Sequence, residues 1–348
     1  MRDEIRNVPC SPARWRLAAV TRLTLVSALV FATAPALAQT ANPSDAQAPT
    51  FRSGASLVSL NVTVMDGSAR YVTGLQPGDF AVYEDGVKQD VRFFESTAVP
   101  VDLFVLLDTS ASMTDRMDVV HEAAIGFLRT LRAGDRGAVV AFSDSVTVVQ
   151  PLTEDGSLLE KAIESTHAHG ATALNNAIYI ALKQFGQQAK LDGTVRRQTI
   201  AVLSDGEDTS SLVSFDDVLA LARKMGVNIY TVALQSKYAG QRQAQDGARR
   251  YFSESDYSMK MLARETGAQS FFPSLATELK SVYASIAAEL ASQYSIGYVP
   301  ANGRNDGRFR RVVVQITSRP ELKPRTRLGY TADGDKAATD HSSGGGQR

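Results

Sequence analysis

Apolar positions change their spacing three times along the chain. From Phe51 to Glu95 the period is two. Leu57, Leu60 and Val62 lie in a strand-like run that ends at Asp66-Gly67, a hairpin-type signal. Pro77-Gly78 and Asp85-Gly86 mark further turns around FAVYE and VRFFE. From Val101 the chain alternates. The runs VDLFVLL, GAVVAF, QTIAVLS, NIYTVAL and AQSFF are short, apolar and largely β-branched. Helix-like segments separate them at 117–132, 156–166, 173–189, 214–225, 257–266 and 275–291. This alternation predicts an α/β fold, a doubly wound and mostly parallel central sheet covered on both faces. From Gln293 to Tyr330 the strand signal returns in YSIGYV, RFRRVVVQIT and RTRLGY, with a turn-rich spacer from Asn302 to Gly307. The β segments 51–98 and 292–330 are each too small to bury a core alone. They are expected to pair as one additional small β domain built from both flanks.

The ends carry different signals. Arg2, Arg6, Arg14, Arg16 and Arg22 precede an apolar run from Leu23 to Ala34, and Ala36-Leu37-Ala38 then offers a small-x-small cleavage site. That is the layout of a secretory signal peptide over 1–38, and its apolar run is short for a bilayer span. Residues 39–50 read as a linker, and 331–348, with Ser342-Ser343 and three glycines, as a disordered tail. The protein is therefore expected to be exported, to the periplasm or to the cell surface and medium, with no transmembrane span after cleavage.

Composition narrows the classes. The 348 residues are 44% hydrophobic and 21% charged, ordinary globular usage. Thirty-seven basic residues balance 37 acidic ones, so no nucleic-acid footprint is visible in bulk. Cleavage after Ala38 takes away five Arg, Asp3 and Glu4, leaving 32 basic against 35 acidic residues. It also removes the only cysteine, Cys10, so the mature chain is expected to have neither a disulfide nor a lipidated cysteine.

The chemistry concentrates at strand ends. VDLFVLL runs into Asp108-Thr109-Ser110-Ala111-Ser112, QTIAVLS runs into Asp205-Gly206, and Thr172 sits in the loop before the helix at 173. In an open α/β sheet the carboxyl ends of strands at a topological switch point form the binding crevice. Asp108, Ser110, Ser112, Thr172 and Asp205 offer hard oxygens without sulfur or imidazole, a set suited to Mg²⁺, with Mn²⁺ or Ca²⁺ as alternatives. Two carboxylates roughly balance a divalent ion and three neutral hydroxyls leave it electrophilic. It can then accept a carboxylate from a partner.

Each element has a plainer reading. Ser110 and Ser112 can turn the chain, Thr172 can cap a helix, and Asp205-Gly206 is an ordinary turn. Asp144 could support the centre from behind and Glu207 and Asp208 could shape its rim, but the plainer reading of all three is a solvated turn residue. His167-x-His169 reads as a loop pair and His121 as structural. Lys237, Arg242, Arg249 and Arg250 read as part of a solvated surface insertion over 236–256.

The D-x-S-x-S loop, the later threonine and the later Asp-Gly resemble the metal-ion-dependent adhesion site of von Willebrand factor type A domains. All five positions are filled. The resemblance covers 99–291 and implies a Rossmann-like fold. Its flanks, GLQPGDFAVYEDGVKQ before and YSIGYVP, FRRVVVQI and RLGY after, are similar to a bacterial exported subfamily. It implies a non-catalytic binding protein whose metal engages an acidic group on a protein, matrix or envelope partner. The alternative it leaves open is a structural or assembly scaffold in which the metal only stabilises loops. An aspartyl-phosphate enzyme would need an acid where Ser110 stands, and neither a nucleophile elbow nor a P-loop occurs. No enzymatic activity and no nucleic-acid partner are expected.

Overall fold

The computed structural model of the protein describes residues 57–96, 99–192, 195–205, 208–234 and 253–332. The predicted signal segment 1–38, the linker 39–50, Glu207 and nearly all of the expected insertion lie outside these residues, as does the tail from 333 onward.

The central sheet has six strands in the order β10-β9-β8-β5-β6-β7. These are β5 (Val101–Asp108), β6 (Arg136–Phe142), β7 (Val146–Thr153), β8 (Arg197–Ser204), β9 (Asn228–Ala233) and β10 (Ser270–Phe271). All neighbours are parallel except β6 and β7. The expected doubly wound, mostly parallel sheet is therefore present. β7 is the element that the apolar pattern did not single out. It is a half-exposed edge strand carrying Pro151, and it lacks the continuous apolar run of a central strand. The expected AQSFF strand shrinks to two residues.

Among the described residues six helices cover the sheet: α1 (Met117–Leu128), α2 (Gly156–Glu164), α3 (Leu174–Asp192), α4 (Phe215–Met225), α5 (Glu254–Glu265) and α6 (Leu279–Ser292). Strand β5 shows why both faces are needed. Leu103, Val105 and Leu107 pack with α1, α2 and α6, while Phe104 and Leu106 pack with α3, α4 and α5. Side chains alternate across a strand, so an all-apolar strand requires a helix layer on each side. Among the described residues no helix is long and apolar enough to cross a membrane.

The flanks build a second unit. β1 (Val58–Met65), β4 (Val91–Ser96), β11 (Tyr294–Tyr298) and β13 (Lys323–Arg325) form one four-stranded sheet, ordered β13-β1-β11-β4. β2 (Phe80–Glu84), β3 (Val87–Gln89), β12 (Phe309–Ile316) and β14 (Gly329–Thr331) form another, ordered β14-β12-β2-β3. Both sheets mix strands from the two ends of the chain, as their sizes required: β1 pairs with β11, and β2 with β12. Leu60, Val62, Val82, Ile296, Tyr298 and Ile316 fill the space between them as one apolar core. Regular structure reaches slightly past the expected start of the tail, since β14 ends at Thr331 and the Ala332 amide bonds to the Arg308 carbonyl.

Buried charge joins the sandwich to the α/β unit. Glu289 of α6 is fully buried. Its Oε1 accepts from Tyr230 Oη of β9 at 2.7 Å and from Thr63 Oγ1 of β1 at 3.0 Å, and it ion-pairs with Arg325 of β13. Gln293 donates to both Tyr230 Oη and Thr63 Oγ1. Burial, with the Glu289 charge adding to it, pushes the nearby Tyr71 phenol up to about 12. The junction is also close in backbone terms. Gly267 ends α5 with φ of +78°, and a Cβ there would stand 2.4 Å from the Arg327 amide nitrogen.

Two substitutions test this junction. Glu289→Ala leaves Arg325 without its counter-ion and should destabilise the protein by about 3 kcal/mol or more in urea unfolding. Gly267→Ala combines a left-handed φ with a clash against main chain, and its unfolding midpoint should fall well below that of Gly126→Ala, where a Cβ meets nothing within 4 Å.

Candidate metal centre

The sheet order creates the crevice. From β5 the chain passes to β6 and β7 on one side, then returns to β8 on the other side of β5. β5 and β8 lie side by side in register, Leu107 opposite Leu203. Asp108 and Asp205 therefore leave adjacent parallel strands at the switch point.

Four of the five expected residues are linked by hydrogen bonds. Ser110 Oγ and Ser112 Oγ are 3.0 Å apart, and Ser112 Oγ donates to Asp205 Oδ1 at 2.6 Å. The Ser110 amide donates to Asp108 Oδ1 at 2.8 Å. Thr172 joins through its loop. The Ala111 amide bonds to Gly170 O, and the Thr209 and Ser210 amides both bond to Thr172 O. Three loops thus meet around one point. Asp108, Ser110, Thr172 and Asp205 are buried, whereas Ser112 is exposed at the mouth.

The donor set fits a small divalent cation. Octahedral Mg²⁺ with oxygens at about 2.1 Å places neighbouring ligands about 3.0 Å apart. The hydroxyl and carboxylate oxygens of Ser110, Ser112 and Asp205 already stand 2.6–3.0 Å from one another along this chain of contacts. The set holds only two carboxylates. Among the described residues no group of three or more His, Cys, Asp or Glu side chains gathers as a metal cage.

Several contributors escaped the sequence reading. Ser204 Oγ donates to Asp108 Oδ2 at 2.5 Å, so both oxygens of Asp108 are satisfied beneath the mouth. Arg116 Nη1 donates to Asp205 Oδ2 at 2.6 Å. Nothing local in the sequence singled out Arg116; it closes the 3₁₀ turn Ala111–Arg116 that also carries Ser112. Asp208 is not simply a solvated turn residue. Its carboxylate accepts from the Asn175 amide at the start of α3 and from the Ser211 amide. Asn176 Oδ1 accepts from the Leu212 and Val213 amides, so the rim loop 208–213 is pinned to α3.

Among the described residues the histidines gather no second cluster. His169 Nδ1 contacts the His167 carbonyl and Nε2 contacts Ser143 Oγ, while His121 bonds to Thr166 Oγ1. Asp144 is exposed but leans on Gly170, whose φ is +71° and where a Cβ would lie 2.8 Å from Asp144 Oδ1.

Charge on Asp108 is costly where it lies. Burial raises the Asp108 carboxyl above its usual range, against the hydrogen bonds from Ser110 and Ser204 that lower it; Asp205 adds a smaller like-charge push upward. A carboxyl whose folded value is raised stabilises the fold at pH below its unfolded value, and that contribution is lost as pH rises through the folded value.

Comparison with known proteins agrees with this architecture. Residues 102–265 match the family model of the von Willebrand factor type A domain. A UPF0353 protein of Mycobacterium marinum is 29% identical over 238 residues, covering 64% of this chain and 68% of that protein. A protein of Borreliella burgdorferi is 28% identical over 145 residues, covering 39% of this chain and 41% of that one. Among solved structures, a von Willebrand factor type A protein from Catenulispora acidiphila is similar with a TM-score of 0.46 at 14% identity, over 82% of this chain and 76% of that one. This chain carries a von Willebrand factor type A domain.

The raised Asp108 yields a test of the metal-free state. In EDTA at neutral pH, Asp108→Asn should melt no lower than the wild type, because the buried charge is gone while the shape is kept. A pronounced fall in melting temperature would show that the charge itself supports the fold.

Proposed function

We propose that this von Willebrand factor type A domain protein is an exported, non-catalytic binding protein. Its centre of Asp108, Ser110, Ser112, Thr172 and Asp205 takes a divalent cation, Mg²⁺ first, and through it an acidic side chain of an envelope or extracellular protein. The observation that carries this reading is the chain of oxygens from Ser110 through Ser112 to Asp205, with Asp108 buried below and Ser112 open at the mouth.

The chemistry follows from charge. Asp108 and Asp205 supply two negative charges and the hydroxyls none. A divalent ion held by them stays electron-poor enough to take a further carboxylate. The pinned rim loop 208–213 surrounds the mouth with backbone that needs little ordering on binding, and that lowers the entropic cost of association. Ser110 in place of a general acid argues against hydrolysis at this centre. Export is supported by the arginines, apolar run and Ala-x-Ala signal of the first 38 residues.

Thermal unfolding in EDTA and in Mg²⁺, Mn²⁺ or Ca²⁺ tests the cation. At 100 times its dissociation constant an ion should stabilise the wild type by about 2.7 kcal/mol and leave Asp108→Ala and Asp205→Ala unmoved. No rise with any ion would remove the reading. Proteins retained from a solubilised envelope fraction by the wild type should elute with EDTA and be absent from the Asp108→Ala eluate. Equal retention by Asp108→Ala would exclude the metal bridge.

A further inference from the structure

The five expected ligands leave one strong charge at the mouth unassigned. Arg116 Nη1 lies 2.6 Å from Asp205 Oδ2, and the two side chains are 16% and 1% exposed. Asp205 is therefore engaged on both oxygens, Oδ1 by the Ser112 hydroxyl and Oδ2 by the guanidinium. Such a charge-assisted bond, largely shielded from water, is stronger than a surface ion pair.

We propose that Arg116 is the built-in counter-ion of this centre: it holds Asp205 while no cation is bound, competes with a divalent cation for that carboxylate, and so sets the cation affinity. The inference rests on the metal reading above and adds its regulation. Three observations carry it. First, the pair sets a positive charge directly against one of the two carboxylates that converge in a buried crevice. Second, a divalent ion drawing on Asp205 meets a positive group already placed on the same carboxylate. Like charges a few ångströms apart in a poorly solvated site repel strongly. Third, Arg116 ends a 3₁₀ turn and leads into α1, so its place over Asp205 is fixed by the same loop that presents Ser110 and Ser112. A purely structural ion pair would contribute equally with and without the cation; a competing one would not.

The test is titration calorimetry of Mg²⁺ and Mn²⁺ into the purified wild-type protein, Arg116→Gln and Arg116→Lys, with Asp205→Asn as the non-binding control. Melting curves in EDTA and in saturating cation accompany it. Arg116→Gln should bind about tenfold more tightly, the worth of one surrendered charge-assisted hydrogen bond. Arg116→Lys keeps a charge but not the guanidinium, and should fall between the two. In EDTA, Arg116→Gln should melt below the wild type, and saturating cation should close that gap. Unchanged or weaker cation affinity in both Arg116 variants would overturn the counter-ion role while leaving the metal reading intact. Absence of cation binding in the wild type and in both variants would instead remove the metal reading, and the counter-ion role with it. The lysine variant keeps the test decisive should the glutamine variant fail to fold.

Discussion

Two parallel strands lying in register at a reversal of strand order are the constraint on which the rest depends. β5 and β8 run side by side through the middle of the sheet, and both end in an aspartate pointing out of an apolar interior. Neither carboxylate would be tolerated there alone, because a buried charge demands partners. The surrounding loops read as the answer to that demand. Ser110 and Ser204 satisfy Asp108, while Ser112 and Arg116 satisfy Asp205. The loop at Thr172 closes the third side and is held by amides from 209 and 210.

Charge is distributed between the two ends of the sheet in different ways. At the amino-terminal ends of the strands, Asp102 is gripped by Arg136 and Arg196, and Asp135 accepts from the Val101 amide. At the carboxyl ends, Asp108 and Asp205 face serine hydroxyls and the Arg116 guanidinium. The same sheet thus buries aspartate at both ends of its strands, held by guanidinium groups at one end and mainly by serine hydroxyls at the other.

The β-sandwich is more than an appendage. α6 runs directly into β11, a central strand of one of its sheets, and Glu289 ties that helix to β1, β9 and β13. A displacement of α6 would have to carry this buried network with it. The α/β unit and the sandwich therefore share a stability determinant that neither owns, which is why the strands at both ends of the chain are required to complete it.

The sequence by itself determined the architecture and singled out five candidate residues at one edge of the sheet. Alternating apolar runs and helical segments fix a two-faced parallel sheet, because an all-apolar strand must be covered on both sides. Two flanking β segments, each too small alone, must pair. D-x-S-x-S, Thr172 and Asp205 stand at the loops where such a sheet opens, so the five residues could be named before any coordinates. The edge strand β7 was hidden because half-exposed strands lack a continuous apolar run. Ser204, Arg116 and Asn176 were hidden for another reason. Their roles lie in contacts between loops that are far apart in the chain, and a serine or arginine has the same local signature whether it is solvated or bonded to a buried carboxylate. Only the tertiary structure decides which of these polar groups face one another, because that depends on strand order and register rather than on any local preference.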